Sequence, residues 1–424
     1  MQKVKVAIMG LGGRGGTVYA AYQDLHPDKT EIVAIADIDG QKRALYGQKY
    51  KVPHIFNSAE EFFTRPKMAD AVIIATQDRQ HIDHAVSALD LGYPILLEKP
   101  IATSPADCIT IREKAKQKNL TAMVCHVLRY TKFYNVIKEQ LAYGKIGKIV
   151  TVQAIESVGY WHQAHSFVRG NWRDSRTTSP MILQKCCHDM DILLWLIGKH
   201  CVRVSSYGSL SYFKPENAPD GSAPYCAEAG VCRKVCPYDA EKIYIDHKQI
   251  GFKSGNTGWP CDITAPVTEN GIIQKLKTSP YGRCVFRCDN NVVDHQIVNM
   301  LFENDITVSF TMSGVTDRGN RGIVIMGTLG QIEASFADNT VKVTPFGKES
   351  EIFDITKLTD DLSCHGGGDN AMMDVFLAKI RGEKTEALTD IDAAVESHMI
   401  AFAAEYSRLH GGQSVNIEEF EKLS

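Results

Sequence analysis

The chain begins with an apolar stretch that runs directly into a glycine-rich turn, KVAIMGLGGRGGTVYA, at residues 5–20. This pattern predicts a buried strand, a tight turn and a helix. Gly10, Gly12 and Gly15 have the G-x-G-x-x-G spacing, in which the first glycine permits the turn and the second lets the backbone approach a pyrophosphate. The third lets the helix pack closely on the strand, and the free N–H groups of the helix attract phosphate. The segment predicts the first unit of a dinucleotide-binding sheet.

The next apolar stretch, EIVAIAD, ends at Asp37, where a carboxylate would meet the ribose hydroxyls of an adenosine. Asp37 would repel the extra phosphate of NADP, so NAD is the expected cofactor. Lys42 and Arg43 lie close enough to keep NADP open as the less favoured choice. The alternative is a domain of the same fold that binds no cofactor.

Strand-like and helical segments then alternate. The strands are ADAVIIAT, YPILLEKP and TAMVCHVLRY, and the helices between them are HIDHAVSALDLG and SPADCITIREKAKQKN, the latter with Ser104 as N-cap and Pro105 in the first turn. This order predicts a doubly wound parallel sheet over residues 1–125, of the Rossmann type, with its ligand at the carboxyl ends of the strands.

Composition excludes several other classes. Hydrophobic residues make up 44% of the chain and charged residues 23%, as in a globular protein, and the formal net charge of −3 gives no footprint for nucleic acid or an anionic membrane. No apolar run reaches the ~18 residues of a membrane span, and the N-terminus does not resemble a signal peptide. We therefore expect a cytoplasmic protein, whose twelve cysteines are free thiols or metal ligands.

The run TQDRQHIDHAVSALDLGYPILLEKPIATS, with Glu98-Lys99-Pro100 near its end, resembles the signature of the glucose–fructose oxidoreductase / inositol dehydrogenase / rhizopine catabolism (Gfo/Idh/MocA) family. The resemblance implies that Lys99 lies beside the nicotinamide and the reacting hydroxyl. Gln77 follows Thr76 where the family often has proline. The residues expected to bind the cofactor are Gly10, Gly12, Gly13, Arg14, Gly15, Asp37, Thr76, Gln77, His81, Glu98 and Lys99.

The resemblance covers nearly the whole chain and implies that residues 126–424 form an α/β domain for substrate binding and oligomerisation. This domain would contain a large open, mainly antiparallel sheet. The strand-like segments KIVTVQAIES, VRVSSYGSL, VVDHQIVNMLF, DITVSFTM and GIVIMGTLGQIEASF fit it, and TDIDAAVESHMIAFAAEYSRLHGG predicts an amphipathic helix that stops at Gly411. The family's use of this sheet implies a homodimer or homotetramer.

The segment SPMILQKCCHDMDILLWLIG has apolar residues at helical spacing, with Ser179 and Pro180 at its start. Two neighbouring cysteines diverge by about 100° on a helix, so they cannot easily join His188 at one metal ion and are better interpreted as core residues. The family resemblance implies that His188 is the catalytic base. Gln184 stands where inositol dehydrogenase-like members have aspartate, and Lys185 is the expected charged partner instead. A structural histidine is the alternative.

Two further segments predict a polar and aromatic substrate site. GYWHQAHSFVRGNWR is interpreted as a loop whose aromatic faces and polar groups suit a sugar. SCHGGGDNAMMDVF is interpreted as a flexible loop followed by a helix at 369–381, and its HGG-D pattern resembles one in family members that act on sugars and glycosides, including NAD-dependent glycosidases. The predicted substrate residues are Arg129, Tyr160, His162, His165, Trp172, Asp191 and His365.

Residues 213–265 form a proline- and glycine-rich insertion with the run YCAEAGVCRKVCPYDA. Cys226, Cys232 and Cys236 are candidate ligands of a structural zinc, with Cys261 or another residue as the fourth ligand. Such a stretch is expected to bury little apolar area, so a metal would hold it in shape. Free thiols in a loop are the alternative.

Together these features predict an NAD-dependent oxidoreductase that oxidises a secondary hydroxyl of a sugar, glycoside or cyclitol. Lys99 would polarise the hydroxyl and His188 would accept its proton. The alternative is a redox-assisted glycosidase or epimerase, in which a keto-sugar intermediate lets tightly bound NAD be recycled. A third reading is a binding protein that retains the cofactor without turnover.

Overall fold

The computed structural model describes residues 2–385 and 387–423. The first sheet has six parallel strands in the order β3-β2-β1-β4-β5-β6. Its strands are β1 (Val4–Met9), β2 (Thr30–Ala36), β3 (His54–Phe56), β4 (Ala71–Ile74), β5 (Ile95–Leu97) and β6 (Ala122–Val124). Every residue of β4 is buried because helices cover both faces of the sheet, which explains its lack of polar alternation. The predicted doubly wound parallel sheet is confirmed.

The helices of this sheet are α1 (Ala21–Leu25), α2 (Gly40–Tyr50), α3 (Ala59–Phe63), α4 (His81–Asp90) and α5 (Pro105–Lys118). The predicted cap of α5 is confirmed, since Ser104 Oγ accepts a 3.2 Å hydrogen bond from the Asp107 N–H. Before α1 the chain forms a wide π-helical segment, Gly13–Ala20, rather than the regular helix that the glycine motif predicts.

The second sheet has nine strands in the order β14-β13-β12-β11-β7-β10-β9-β8-β15. They are β7 (Ile149–Ser157), β8 (Cys201–Ser209), β9 (His295–Phe302), β10 (Thr307–Ser313), β11 (Asn320–Gly327), β12 (Gly330–Ser335), β13 (Thr340–Pro345), β14 (Glu351–Asp354) and β15 (Val415–Asn416). Only β7 and β10 pair in parallel among these strands, and the other neighbours are antiparallel. The predicted large, mainly antiparallel sheet is confirmed.

Helices cover one side of this sheet. The remaining α-helices, some of which lie in the connections between strands, are α6 (Lys132–Ala142), α7 (Tyr160–His162), α8 (Met181–Gln184), α9 (Cys187–Ile197), α10 (Cys232–Val235), α11 (Glu269–Thr278), α12 (Ser363–Gly366), α13 (Gly368–Ile380), α14 (Ile391–Leu409) and α15 (Ile417–Leu423). Helix α14 packs against β8, α5 and α9, and it ends just before the predicted stop at Gly411. In the described residues no helix is long and apolar enough to cross a bilayer.

The chain returns to the first sheet after completing most of the second. Met372, Phe376 and Leu377 of α13 belong to the same buried cluster as Val4 and Ile8 of β1. One side of the parallel sheet is therefore covered by a helix from the far end of the sequence. The domain division at residue 125 remains a prediction, and α13 packs on the first domain although it follows that division in the chain.

The insertion has an apolar core of its own, which corrects the expectation that it buries little. Phe213, Tyr244, Ile272 and Phe286 belong to one buried cluster with Val168. The compact unit therefore runs to about residue 286, beyond the predicted end at 265. Hydrophobic burial therefore contributes to the order of this segment.

The zinc prediction is not supported. The described part of the chain contains no group of three or more His, Cys, Asp or Glu side chains that could hold a metal ion. Cys226 Sγ lies 3.7 Å from Arg169 Nη2, and Cys232 Sγ donates to the carbonyl of Gly221, at 3.6 Å. Among the described residues, Cys226, Cys232, Cys236 and Cys261 take part in no disulfide bond.

Candidate active site

The glycine turn leaves its backbone open where a pyrophosphate would lie. Gly10 has φ +87°, and a Cβ there would lie 2.5 Å from the carbonyl oxygen of Ala75. A Cβ at Gly15 would lie 1.8 Å from the Gly10 carbonyl oxygen, so only glycine fits where the helix meets the strand. Positions Gly12 and Gly13 face open space. This loop fits a dinucleotide.

Asp37 stands at the end of β2 with its carboxylate held in place. Asp37 Oδ2 accepts from the Leu11 N–H at 2.6 Å, and Oδ1 accepts from the Asp39 N–H at 2.8 Å. Arg43 donates to the Asp37 carbonyl and to Asn57 Oδ1, at 2.6 and 2.9 Å. Because both terminal nitrogens of Arg43 are already engaged, the neighbourhood favours the ribose hydroxyls of NAD over a 2′-phosphate.

Arg14 and Glu98, both predicted to bind the cofactor, bind each other. Arg14 Nε lies 2.5 Å from Glu98 Oε1, Arg14 Nη2 lies 2.6 Å from Asp369 Oδ1, and the Tyr19 hydroxyl donates to Glu98. Burial alone would raise the pKa of Glu98, but Arg14 and the Tyr19 hydrogen bond lower it. These groups therefore tie the glycine turn, the end of β5 and the start of α13 together.

Thr76, Gln77 and His81 shape the loop after β4. The ring nitrogens of the buried His81 lie 2.7 Å from the Pro100 carbonyl oxygen and 3.1 Å from that of Thr76. Gln77 caps the short turn at Asp78–Gln80. His81 thus links this loop to the Glu98-Lys99-Pro100 segment, and its ring is not free to bond a ligand as predicted.

Lys99 reaches across from the first sheet to the second domain. Its Nζ donates to the Gln184 carbonyl oxygen at 2.7 Å, at the end of α8. The contact uses the main chain of Gln184, so it does not depend on the aspartate that inositol dehydrogenase-like sequences have there. The ammonium keeps two further N–H donors, which suits a group that polarises a substrate oxygen.

His188 lies at the start of α9 and is buried, with 6% of its surface exposed. The predicted single helix is broken, since α8 ends at Gln184 and α9 begins at Cys187, and Pro180 rather than Ser179 flanks its start. His188 Nδ1 has no hydrogen-bond partner among the described residues. Burial, and then the charge of Lys99, lower the pKa of His188 well below its usual value. The ring is therefore neutral at neutral pH and can accept a proton.

Two more histidines continue from His188 into the interior. The His126 ring lies 5.5 Å from that of His188 and 5.4 Å from that of His398. Burial and then Arg129 lower the pKa of His126 to about 3, so it stays neutral beside Lys99. His126 therefore adds no further positive charge beside the base.

Lys185 is not the charged partner of His188 that the sequence predicted. The break in the helix directs Lys185 Nζ to Glu156 Oε1 of β7, at 3.3 Å. Arg321 of β11 joins them, with its Nε 2.9 Å from Glu156 Oε2 and 2.9 Å from Asp189 Oδ1. Burial raises the pKa of Asp189 above its usual value, Arg321 opposes this shift and Glu156 adds to it.

A cavity of about 370 Å³ lies beside this cluster, within the range of small-molecule sites. Its wall combines aromatic and charged side chains, including Trp161, His162, Lys185, Arg321 and Phe336. Gly366 also lines it, and the ring of the preceding residue, His365, lies 6.3 Å from that of His188. The cavity therefore adjoins the proton-accepting histidine.

Four of the predicted substrate residues are engaged elsewhere. Arg129 and Asp191 form a buried pair, with Arg129 Nη2 2.6 Å from Asp191 Oδ1 and Nε 2.8 Å from Oδ2. His165 Nδ1 bonds the Tyr244 hydroxyl at 2.8 Å, and Trp172 Nε1 donates to Asp78 at 3.4 Å. These polar groups hold structure together rather than face the cavity.

The segment around Tyr160 is helical, which corrects the loop prediction. Helix α7 continues into a π-helical segment, Gln163–Arg169, and a 3-10 turn, Asn171–Arg173. Tyr160 packs on Tyr238 of the insertion at 5.8 Å between ring centroids. Of the four predicted residues in this segment, only His162 lines the cavity.

His365 is also on a helix rather than on the predicted flexible loop. It lies in α12 with φ +50°, and its Nδ1 lies 2.8 Å from Asp369 Oδ2. Its ring is 6.3 Å from that of His188 and is partly exposed. A histidine oriented by a carboxylate is a common arrangement for acid–base chemistry.

Sequence reasoning missed Glu156, Arg321 and Phe336. Each lies on or beside a strand of the second sheet, and for Glu156 and Arg321 a charged residue among apolar neighbours was the only signal. In the strand segment NRGIVIMG, Arg321 is followed by apolar and small residues. No local pattern shows which charged side chain of a strand faces a cavity.

Comparisons with known proteins agree with this geometry. The model described as "Oxidoreductase family, NAD-binding Rossmann fold" matches residues 4–126, and that described as "Oxidoreductase family, C-terminal alpha/beta domain" matches residues 138–416. The YteT protein of Bacillus subtilis (strain 168) is 23% identical over 398 residues, which is 87% of each chain.

Two further likenesses are informative. Inositol 2-dehydrogenase of Salmonella typhimurium is 28% identical over 179 residues, 42% of this chain and only half of that enzyme. The WlbA dehydrogenase of Bordetella pertussis, solved with NADH and UDP-GlcNAcA, has a TM-score of 0.71 at 16% identity and covers 98% of each chain, which shows a shared fold. Since the two family models cover both domains, the chain belongs to the Gfo/Idh/MocA family and is an NAD-binding oxidoreductase.

Proposed function

We propose that this oxidoreductase is an NAD-dependent dehydrogenase of a secondary hydroxyl on a sugar, glycoside or cyclitol. The observation that carries the proposal is the position of His188. It is a buried, neutral histidine beside a lysine anchored at the carboxyl edge of the cofactor-binding sheet. The activity of inositol 2-dehydrogenase and the UDP-GlcNAcA bound to the WlbA dehydrogenase agree with a polyhydroxylated substrate.

The chain's own residues have distinct roles in this proposal. Lys99 donates a hydrogen bond to the substrate oxygen and stabilises negative charge that develops there. His188 accepts the hydroxyl proton, and burial keeps its ring free of a competing proton. The aromatic wall of the cavity packs on the C–H face of the ring and excludes water. NAD, when bound by the glycine turn and Asp37, supplies the acceptor for the hydride.

The experiment is a substrate panel of free sugars, cyclitols and aryl glycosides in deuterated buffer. Absorbance at 340 nm and product mass are recorded together. NADH that accumulates in step with a ketone product supports the dehydrogenase. The absence of both signals across the panel, with NADH binding intact, would contradict it and favour the binding protein.

One observation favours a redox-neutral alternative. The His365–Asp369 pair places a second histidine, oriented by a carboxylate, 6.3 Å from the ring of His188. Oxidation to a ketone acidifies the neighbouring C–H, and a second base could remove that proton before hydride returns. Aglycone release or deuterium entry into the sugar without net NADH would support this glycosidase or epimerase.

A homodimer or homotetramer remains part of the proposal. The side of the nine-stranded sheet away from the helices exposes Ile155, Tyr207 and Ile297. Exposed apolar residues on a broad sheet suit contact with a second copy. Sedimentation of the purified protein would test it.

A further inference from the structure

The cavity beside the active site has an arginine whose position is fixed from behind. Arg321 is largely buried, and its Nε is 2.9 Å from both Glu156 Oε2 and Asp189 Oδ1. Glu156, on β7, also lines the cavity, and Asp189, on α9, lies next to Arg321. They orient the guanidinium without using its outer edge.

The two terminal nitrogens of Arg321 donate to no residue among those described. Arg321 lines the cavity, and neither nitrogen is among the enclosed polar atoms that lack a partner. A fixed guanidinium with a free edge presents parallel N–H groups that match a pair of oxygens in one plane. A carboxylate has this geometry, whereas a single hydroxyl does not.

The charge of the cavity also favours an anion. Lys185 and Arg321 face Glu156 and Asp189, and burial raises the pKa of Asp189 although Arg321 opposes this. The nearby Lys99 makes three cations against these two carboxylates. A desolvated positive site attracts negative groups more strongly than an exposed one does.

We propose that the substrate carries a carboxylate, as in a uronic acid or its glycoside, and that Arg321 grips this group while Lys185 adds a second positive charge. This inference rests on the proposed function, because it names the substrate class of the same site. Trp161 and Phe336 provide the apolar wall on which the sugar ring lies. The carboxylate thereby fixes which hydroxyl reaches His188.

The test compares hexuronates with the matched hexoses, which differ only in a carboxylate or a hydroxymethyl group at C6. We expect kcat/KM to be about 10- to 100-fold higher for the uronate, the range for hydrogen bonds to charged groups. Arg321→Lys keeps the charge but loses the fork, and it should remove most of this preference through KM. Lys185→Met should reduce it less.

Arg318→Lys is the matched control, because Arg318 lies on the surface and pairs with Asp338 at 2.7 Å. It should leave the preference unchanged. If Arg321→Lys melts at a lower temperature, the inference is still tested by the preference for hexuronate in the wild type and by its reduction in Lys185→Met. Equal turnover of both sugars, or a preference for sugar phosphates over uronates, would overturn the inference while the dehydrogenase stands.

A second experiment distinguishes failure of the dehydrogenase proposal from failure of the carboxylate site. Calorimetry on the NADH-bound protein measures uronate binding without turnover. The protein could bind uronate, lose affinity for it on Arg321→Lys, and yet never oxidise it. That result would contradict the dehydrogenase and uphold the carboxylate site. Uronates that neither bind nor react would overturn it.

Discussion

Arg14 and Asp369 are 355 residues apart in the chain, yet Arg14 Nη2 lies 2.6 Å from Asp369 Oδ1. Arg14 belongs to the glycine turn, and Asp369 also bonds the ring of His365. Burial would raise the pKa of Asp369, but the hydrogen bond from His365 and the charge of Arg14 lower it. The cofactor turn and the second histidine are therefore coupled through two charges.

Arg14→Met should lower the melting temperature and weaken NADH binding. It leaves the buried carboxylates of Glu98 and Asp369 without their cation, and the loss of a hydrogen bond to a charged group costs about 2 kcal/mol. Fluorescence titration and thermal melting measure both effects. Lys422→Met breaks the exposed pair with Glu418 and is the control, so equal shifts for the two variants would refute the coupling.

Lys99→Met and His188→Gln should each lower the oxidation rate while NADH still binds. A positioned proton acceptor contributes about 10²- to 10⁴-fold, so losses of that size are expected for His188→Gln. Stopped-flow measurement of NADH formation gives the rate and fluorescence titration gives the affinity. A rate near that of the wild type in His188→Gln would move the base to another residue.

The acidic limb of the pH–rate profile should lie below pH ~6.5, the ordinary value for histidine. Burial and then Lys99 lower the pKa of His188, so its ring remains able to accept a proton as pH falls through that value. Lys99→Met removes one of the charges responsible and should move the limb to higher pH. The measurement is kcat/KM for oxidation against pH. A wild-type limb at pH ~6.5 or above would contradict a neutral, buried base.

Much of the fold was predictable because local chemistry determines it. The glycine spacing, the uninterrupted apolar strands and the Ser104-Pro105 cap all act within a few residues, and the structure confirms the parallel sheet. Gly10 and Gly15 could be identified because no side chain fits there. Such features need no knowledge of distant segments.

The site was less predictable because its charges are paired over long distances. Arg129 is a residue type that often binds substrates, but in the fold it pairs with Asp191. Lys185 lies at the break between two helices and pairs with Glu156. The break between α8 and α9 could not be read from an apolar pattern that continues through it. Tertiary contacts decide which polar side chains remain free.

Asp37 should set the preference for NAD over NADP. Its carboxylate, fixed by the Leu11 N–H at 2.6 Å, lies where a 2′-phosphate would be repelled. Asp37→Ser should therefore weaken NAD binding and lower the ratio of the NADPH dissociation constant to the NADH dissociation constant. Fluorescence titration with both nucleotides measures the ratio. A ratio that does not change would place the ribose away from Asp37.

Through Trp259, the insertion should contribute to substrate affinity. Its ring lies 5.0 Å from Trp161 and 4.8 Å from His162, and both of these line the cavity. Aromatic pairs contribute about 0.5–1.5 kcal/mol each, so Trp259→Ala should raise KM by roughly 3- to 10-fold with little change in kcat. Trp259→Phe keeps a ring and should restore most of the affinity. An unchanged KM in Trp259→Ala would mean that the insertion supports the fold alone, because a loosened cavity wall must weaken a ligand that packs on it.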